Sequence, residues 1–290
     1  MPNQATELIL VTGGAGFIGS HLCERLAKDG AKVISLDNYS TGSTDNHVEG
    51  VEYRRGQTSD IAALVPESPT IVFHLGEYAR VEKSFYDMDT VWKSNVAGTF
   101  SVLEFCRAKN CKLVYAGSST KFGDGGMGLN QSPYAWTKAA NTELAKNYGT
   151  WFGLEYAITY FYNVYGPREL SNEFGTVIAI FAEKWKRGEA LPVVEPGTQK
   201  RNFTHVSDIV AGLVLVGEAG ESDEFGLGAP ESYSIAEVAE MFGGEIKMLP
   251  ARPGNRMGAS LDILRASELG WRATVKVADY VKQLKENGGS

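Results

Sequence analysis

Along the first half of the chain, short apolar runs alternate with longer stretches in which apolar residues recur every three or four positions. Leu8-Ile9-Leu10-Val11 is an apolar run that stops at Thr12-Gly13-Gly14, and Phe17 to Lys28 carries apolar residues at helical spacing. This pattern predicts strand, tight turn, helix. Further buried strands are predicted at Lys32 to Asp37, Val51 to Tyr53 and Thr70 to Leu75. A long helix is predicted from Ser84 to Lys109, a fifth strand at Lys112 to Ala116, a helix from Tyr134 to Phe152 and a sixth strand at Tyr156 to Phe161. Strands alternating with helices predict an α/β fold, a Rossmann-type doubly wound parallel sheet covered on both faces.

After Gly166-Pro167 the rhythm changes. A helix is predicted from Thr176 to Arg187, a proline-containing strand at Leu191 to Val194 and a helix from Val206 to Gly217, followed by short elements. These mixed segments predict a smaller C-terminal lobe above the sheet's C-terminal edge. The expected division is a dinucleotide-binding domain of residues 1–166 and 199–228, with residues 167–198 and 229–290 in the lobe.

Composition narrows the function classes. With 290 residues, 43% of them hydrophobic and 22% charged, the chain can bury a substantial core. A formal charge of -7 opposes broad nucleic-acid binding, which needs clustered Lys and Arg. Cys23, Cys106 and Cys111 form no C-x-x-C, and His21, His47, His74 and His205 are scattered, so no metal site is expected. No apolar run reaches spanning length and the first ten residues lack the pattern of a signal peptide, so no membrane association and a cytoplasmic location are expected. The closing Glu-Asn-Gly-Gly-Ser reads as a frayed tail.

Two motifs then give the chain a chemistry. Gly13, Gly16 and Gly19 fit G-x-x-G-x-x-G between a strand and a helix, the arrangement that lets backbone, with Phe17 and Ile18, approach a pyrophosphate at a helix N-terminus. Asp37 ends the next strand, where a carboxylate accepts hydrogen bonds from the adenosine ribose and repels a 2'-phosphate; NAD is the expected cofactor rather than NADP. The second motif is Tyr134-Ala135-Trp136-Thr137-Lys138, with Ser118 upstream. A phenol is a poor base near neutrality because its ordinary pKa is about 10. Four residues along a helix, the Lys138 ammonium lies one turn from the Tyr134 ring and favours tyrosinate. Chance supplies such a pair often, so its meaning comes from the nucleotide-binding turn before it.

The ordered series TGGAGFIGSHL, DNYSTGS, FHL, NVAGT, SPYAWTKA, FYNVYGPR, RNFTHVSD and ARPGN spans nearly the whole chain. With it, the sequence resembles the extended short-chain dehydrogenase/reductases of the nucleotide-sugar epimerase/dehydratase type, and is closest in pattern to the UDP-glucose 4-epimerase group. The resemblance implies that Ser118, Tyr134 and Lys138 are catalytic. Ser118 would donate to the sugar oxygen and share a short hydrogen bond with Tyr134, and Lys138 would also hold the nicotinamide ribose. It implies NAD contacts from Asn38, Ser40, Gln57, Thr58 and Leu75 as well, with Gln57 standing where an acid commonly meets adenine. Asn163 matches a substrate-binding asparagine, and Arg201 and Arg252 match arginines that clasp the nucleotide diphosphate. Arg168 and Arg256 are further candidates, while His21, His74 and His205 read as structural. Val194 stands where an aromatic often stacks on the base.

The implied activity is 4-epimerisation of a UDP-hexose: oxidation at C4, turnover of the 4-keto sugar and return of the hydride to its other face. Family dehydratases and decarboxylases carry acids in the one or two positions after the Ser/Thr, and here those positions are Ser119 and Thr120. Glu77 follows the fourth strand where the family usually has small residues. Its plain reading is a buried or loop carboxylate paired with Arg80 or Lys83, with a catalytic or sugar-binding role open beside it. The loop from Asp124 to Ser132 is shorter than the family's usual insertion. The alternatives are a dehydratase or 4-reductase of the same family, and a non-catalytic NAD-binding regulator. By analogy a homodimer is expected through helices near Asn95 to Lys109 and Tyr134 to Thr150.

Overall fold

The structure is a computed structural model that describes residues 7–122, 130–172, 175–251, 257–258 and 260–288. Seven strands form one wholly parallel sheet: β1 (Leu8–Thr12), β2 (Lys32–Asp37), β3 (Val51–Arg55), β4 (Ile71–His74), β5 (Lys112–Ser118), β6 (Tyr156–Phe161) and β7 (Ser222–Leu227). The spatial order is β7-β6-β5-β4-β1-β2-β3. The order reverses between β1 and β4, which opens a crevice at their C-terminal ends where a doubly wound sheet binds its ligand. β7 falls in the segment whose pattern showed only short elements. Asp223 and Glu224 interrupt its apolar alternation, and its register on β6 shifts between Ser222 and Phe225.

Alternation along the strands sends neighbouring side chains to opposite faces. Ile9 and Val11 of β1 pack with helices α1 (Phe17–Lys28) and α4 (Val206–Ala219), while Leu10 between them packs on the other face. That second face is covered by α2 (Gly98–Lys109) and α3 (Pro133–Phe152). A third core gathers Tyr165, Phe181, Val193 and Phe242 around the helices Val177–Lys186 and Ile235–Phe242. Of the segment expected in the lobe, Ala266 and Trp271 pack into the sheet-side core with α1 and α4.

The long helical stretch expected from about Ser84 to Lys109 runs continuously from Met88 to Lys109, with a π segment inside it. A 3-10 turn at Lys83–Phe85 precedes it, and the α-helical turn Met88–Val91 leads through the π segment Trp92–Ala97 into α2 at Gly98. The reason for the π segment is tertiary: the Asn95 carbonyl accepts from Asn141 Nδ2 (2.9 Å), and its side chain clasps Tyr78 N and O (2.7 and 3.1 Å). Widening a helical turn is a common way to free a backbone group for a side chain.

Candidate active site

The dinucleotide crevice is built from residues that tolerate little else. Gly13 adopts φ +75°, and a Cβ there would meet the Gly76 backbone at 2.9 Å. A Cβ on Gly19 would lie 2.1 Å from the Gly13 carbonyl oxygen, so the first turn of α1 presses against the loop. Gly16 caps α1 without a side chain, leaving the helix N-terminus open to an anion. Asp37 is 7% exposed, and its carboxylate accepts from Ala15 N (3.0 Å) and Tyr39 N (2.7 Å). Those two bonds aim it into the crevice with lone pairs to spare for ribose hydroxyls.

The cavity here, about 220 Å³, is lined by every residue expected to touch the cofactor: Gly13, Gly16, Phe17, Ile18, Gly19, Asp37, Asn38, Ser40, Gln57, Thr58, Leu75, Tyr134 and Lys138. Gln57 Oε1 accepts from Asn38 Nδ2 at 3.0 Å. The donors, the glycine turn and the buried acid suit NAD. Sequence reading missed Thr41, Gly76 and Ser94, which line the same cavity and carry no motif of their own.

Tyr134 and Lys138 lie one turn apart on α3, whose start is set by Pro133 and by the Ser132 hydroxyl accepting from Ala135 N (3.0 Å). The Lys138 ammonium donates to the Ala116 carbonyl at 2.6 Å and to the Glu77 carboxylate in a short ion pair. The two side chains are 7% and 1% exposed. Glu77 also accepts from Thr99 Oγ1 (2.7 Å), Asn141 Nδ2 (2.8 Å) and the Tyr115 hydroxyl (3.1 Å to each oxygen). The expected pairing of Glu77 with Arg80 or Lys83 is therefore wrong: the chain folds the carboxylate inward, under α3. Burial pushes the Glu77 carboxyl up, but Lys138 and His74 outweigh it and hold the group below its ordinary value. His74, fully enclosed, donates or accepts at Thr12 Oγ1 (2.7 Å) and Thr99 Oγ1 (2.9 Å), and burial lowers its pKa to about 4.

The expected Ser118–Tyr134 hydrogen bond is not formed. Ser118 Oγ instead accepts from Thr120 N (3.3 Å) and Thr120 Oγ1 (2.9 Å), two residues ahead on the same tight turn. Both residues nevertheless open on one larger cavity of about 560 Å³, together with Ser119, Thr120, Asn163, Val194 and Arg201. Asn163, at φ +37°, donates from Nδ2 to the Asn202 carbonyl (3.1 Å). Glu77 lines the cofactor cavity and not this one. Arg252, Arg256 and loop residues 124–129 lie outside the described residues.

Arg168 lines neither cavity; it pairs with Glu24 of α1 at 2.7 Å. His21 bonds the Pro167 carbonyl (2.9 Å), and His205 bonds Ser207 at the start of α4 (2.7 Å). Three charged residues of the large cavity, Arg80, Glu82 and Glu169, had no motif to reveal them. Arg80 borders both cavities and interacts electrostatically with Tyr134 and Glu169. Glu169 accepts from Thr176 N at 2.8 Å through one oxygen, while the other is buried without a hydrogen bond, and desolvation raises its pKa to about 7.

A family model described as the NAD dependent epimerase/dehydratase family matches residues 9–236. The chain is similar to UDP-glucuronic acid decarboxylase 6 of Arabidopsis thaliana, 32% identical over 98% of this chain and 89% of that protein. Its fold is similar to the UDP-glucose 4-epimerase of Thermus thermophilus in complex with NAD, with a TM-score of 0.90 and 30% identity over 98% and 99% of the two chains. It is also similar to the UDP-glucose 4-epimerase of Thermotoga maritima with UDP-glucose, with a TM-score of 0.91 and 28% identity over 96% and 97%.

Proposed function

The chain belongs to the NAD-dependent epimerase/dehydratase family, and from that premise we propose that it is a nucleotide-sugar 4-epimerase acting on UDP-hexoses. NAD is its cofactor and, when bound, supplies a reversible acceptor for the C4 hydride. In this reading Tyr134 takes the proton of the C4 hydroxyl, Lys138 keeps positive charge beside it, and Ser118 turns from Thr120 to hydrogen-bond the sugar oxygen. The 4-keto sugar then turns over in the large cavity and Tyr134 returns its proton. Arg201, Arg252, Asn163 and Val194 are assigned to the nucleotide and sugar, and the 167–198 and 229–290 segments, apart from Ala266 and Trp271 in the sheet-side core, to the lobe that holds them. The observation carrying the reading is that Ser118 and Tyr134 share a cavity in which Ser119 and Thr120, both without a carboxyl group, follow Ser118.

A second reading is decarboxylation of a UDP-uronic acid. It is supported by the 32% identity to a UDP-glucuronic acid decarboxylase and by Glu169, whose pKa near 7 makes it an available acid in the same cavity. Oxidation at C4 of a uronate yields a β-keto acid, which loses carbon dioxide readily, so both reactions share their first step. Incubation with UDP-, dTDP-, GDP- and CDP-sugars, UDP-glucuronate included, followed by NMR separates them. C4 epimers without net NADH support the proposal; a pentose with carbon dioxide supports the second reading, and a stable 4-keto-6-deoxy sugar overturns both.

We further propose a homodimer formed through α2 and α3. Its support is the apolar surface those helices leave open: Phe100 is 51% exposed, Trp136 47% and Trp151 59%.

A further inference from the structure

We propose that Glu77 is a positioning residue for Lys138: its carboxylate, anchored to α2, β5 and α3 by Thr99, Tyr115 and Asn141, fixes where the ammonium sits and offsets the charge that the lysine presents to Tyr134. This rests on the reading of Tyr134 as the proton-transferring group.

The geometry has the marks of a built anion site. Four donor side chains from α2, β5 and α3 converge on the two oxygens of a carboxylate that is 1% exposed. Solvation cannot account for such a group. Stability accounts for it poorly too, because a buried ion pair replaced by apolar groups of similar volume is often no less stable. What the pair does is local. Lys138 is held between Glu77 and the Ala116 carbonyl, on the floor of the cavity that Tyr134 borders. Its charge is thus met on one side by a full negative charge, and its pull on the phenol is smaller than that of a lone ammonium.

The other titratable groups around the carboxylate leave this balance in place. His74 of β4 stays neutral above about pH 4, and burial lifts the Tyr115 hydroxyl of β5 well above its ordinary range. Arg80, on the loop after β4, adds a second cation whose field reaches Tyr134 and is independent of Glu77.

The test uses the NAD-loaded protein with no sugar present, so it does not depend on which reaction the enzyme performs. The ionisation of Tyr134 is read as the phenolate ultraviolet absorbance of the protein minus that of its Tyr134→Phe counterpart, across pH. With Glu77→Gln the midpoint is expected to fall by about one pH unit, since the ammonium then acts uncompensated. Glu77→Asp keeps the charge and is expected to stay near the parent midpoint. Bound NAD checks that each variant is folded, and Glu77→Ser, which leaves room for a water beside the ammonium, is the uncharged replacement if Gln does not fold. An unchanged midpoint in the uncharged variant overturns the proposal, as does Glu77→Asp moving as far as Glu77→Gln. If the parent protein instead fails to epimerise any sugar, the functional reading falls while the titration still decides the role of Glu77.

Discussion

At the scale of residues, the site is a set of short hydrogen bonds around a few charges. Tyr134 is the group on which the proposed chemistry turns. Tyr134→Phe keeps the ring packing and is expected to retain NAD binding while losing turnover by a factor of about 100 or more, the usual worth of a positioned acid–base group. Stopped-flow or NMR rates near those of the parent would remove Tyr134 from this role. Glu169 gives a second prediction. Raised to about 7 by burial, it is mostly neutral below that pH and anionic above it; if the diphosphate of the proposed substrate lies in the large cavity that Glu169 lines, the anion repels it. KM for the nucleotide sugar should therefore rise as pH passes 7, and Glu169→Gln should flatten that rise. A KM profile that is the same in both proteins would show that Glu169 does not face the diphosphate. Neither Glu169 nor the true partner of Glu77 was legible in the sequence, because each is defined by residues from distant segments that carry no spacing rule.

Among the elements, those whose burial is decided locally were read to within a residue or two: α1 and β2 fall where the periodicity placed them. The π segment inside the long helix before β5 was not, because it depends on Asn141, more than 40 positions away, capturing the Asn95 carbonyl. His74 shows how one side chain ties elements together, joining Thr12 of β1 to Thr99 of α2 from the end of β4. Its pKa lies at about 4 in the folded chain against an ordinary 6.5, so between those values the unfolded chain binds more protons. The contribution is fully present above about pH 6.5 and is lost toward pH 4, at up to about 1.4 kcal/mol per pH unit. Glu169 acts in the opposite sense between about pH 4.3 and 7, because its folded pKa is raised and its contribution fades as pH climbs. The quantity to measure is thus the difference in urea stability between the parent and His74→Gln, pH by pH. It should shrink as pH falls from 6.5 to 4, and a constant difference would mean that His74 does not titrate there.

For the whole molecule, the parallel sheet brings the glycine turn after β1, Asp37 at the end of β2, Ser118 at the end of β5 and the start of α3 to one edge. The other side of α2 and α3 carries Phe100, Trp136 and Trp151 on open surface. If these helices form the dimer, Phe100→Glu should shift the protein toward monomer in sedimentation velocity at micromolar concentration, with NAD binding kept. An unchanged sedimentation coefficient would place any interface elsewhere. What the amino-acid sequence by itself determined was the α/β order and the glycine turn and acid of an NAD-binding sheet, because these rest on local periodicity and on motifs whose spacing is imposed by one turn of strand and helix; the Ser118, Tyr134 and Lys138 set stays a proposal. Only the tertiary structure decided that Lys138 is held by Glu77, that Ser118 turns to Thr120, that Arg168 pairs with Glu24 of α1 and that Glu169 lines the large cavity. The physical reason is that a charged side chain chooses its partner by which counter-charge and which donors burial brings within about 3 Å, and that choice is made by packing between segments far apart in the chain.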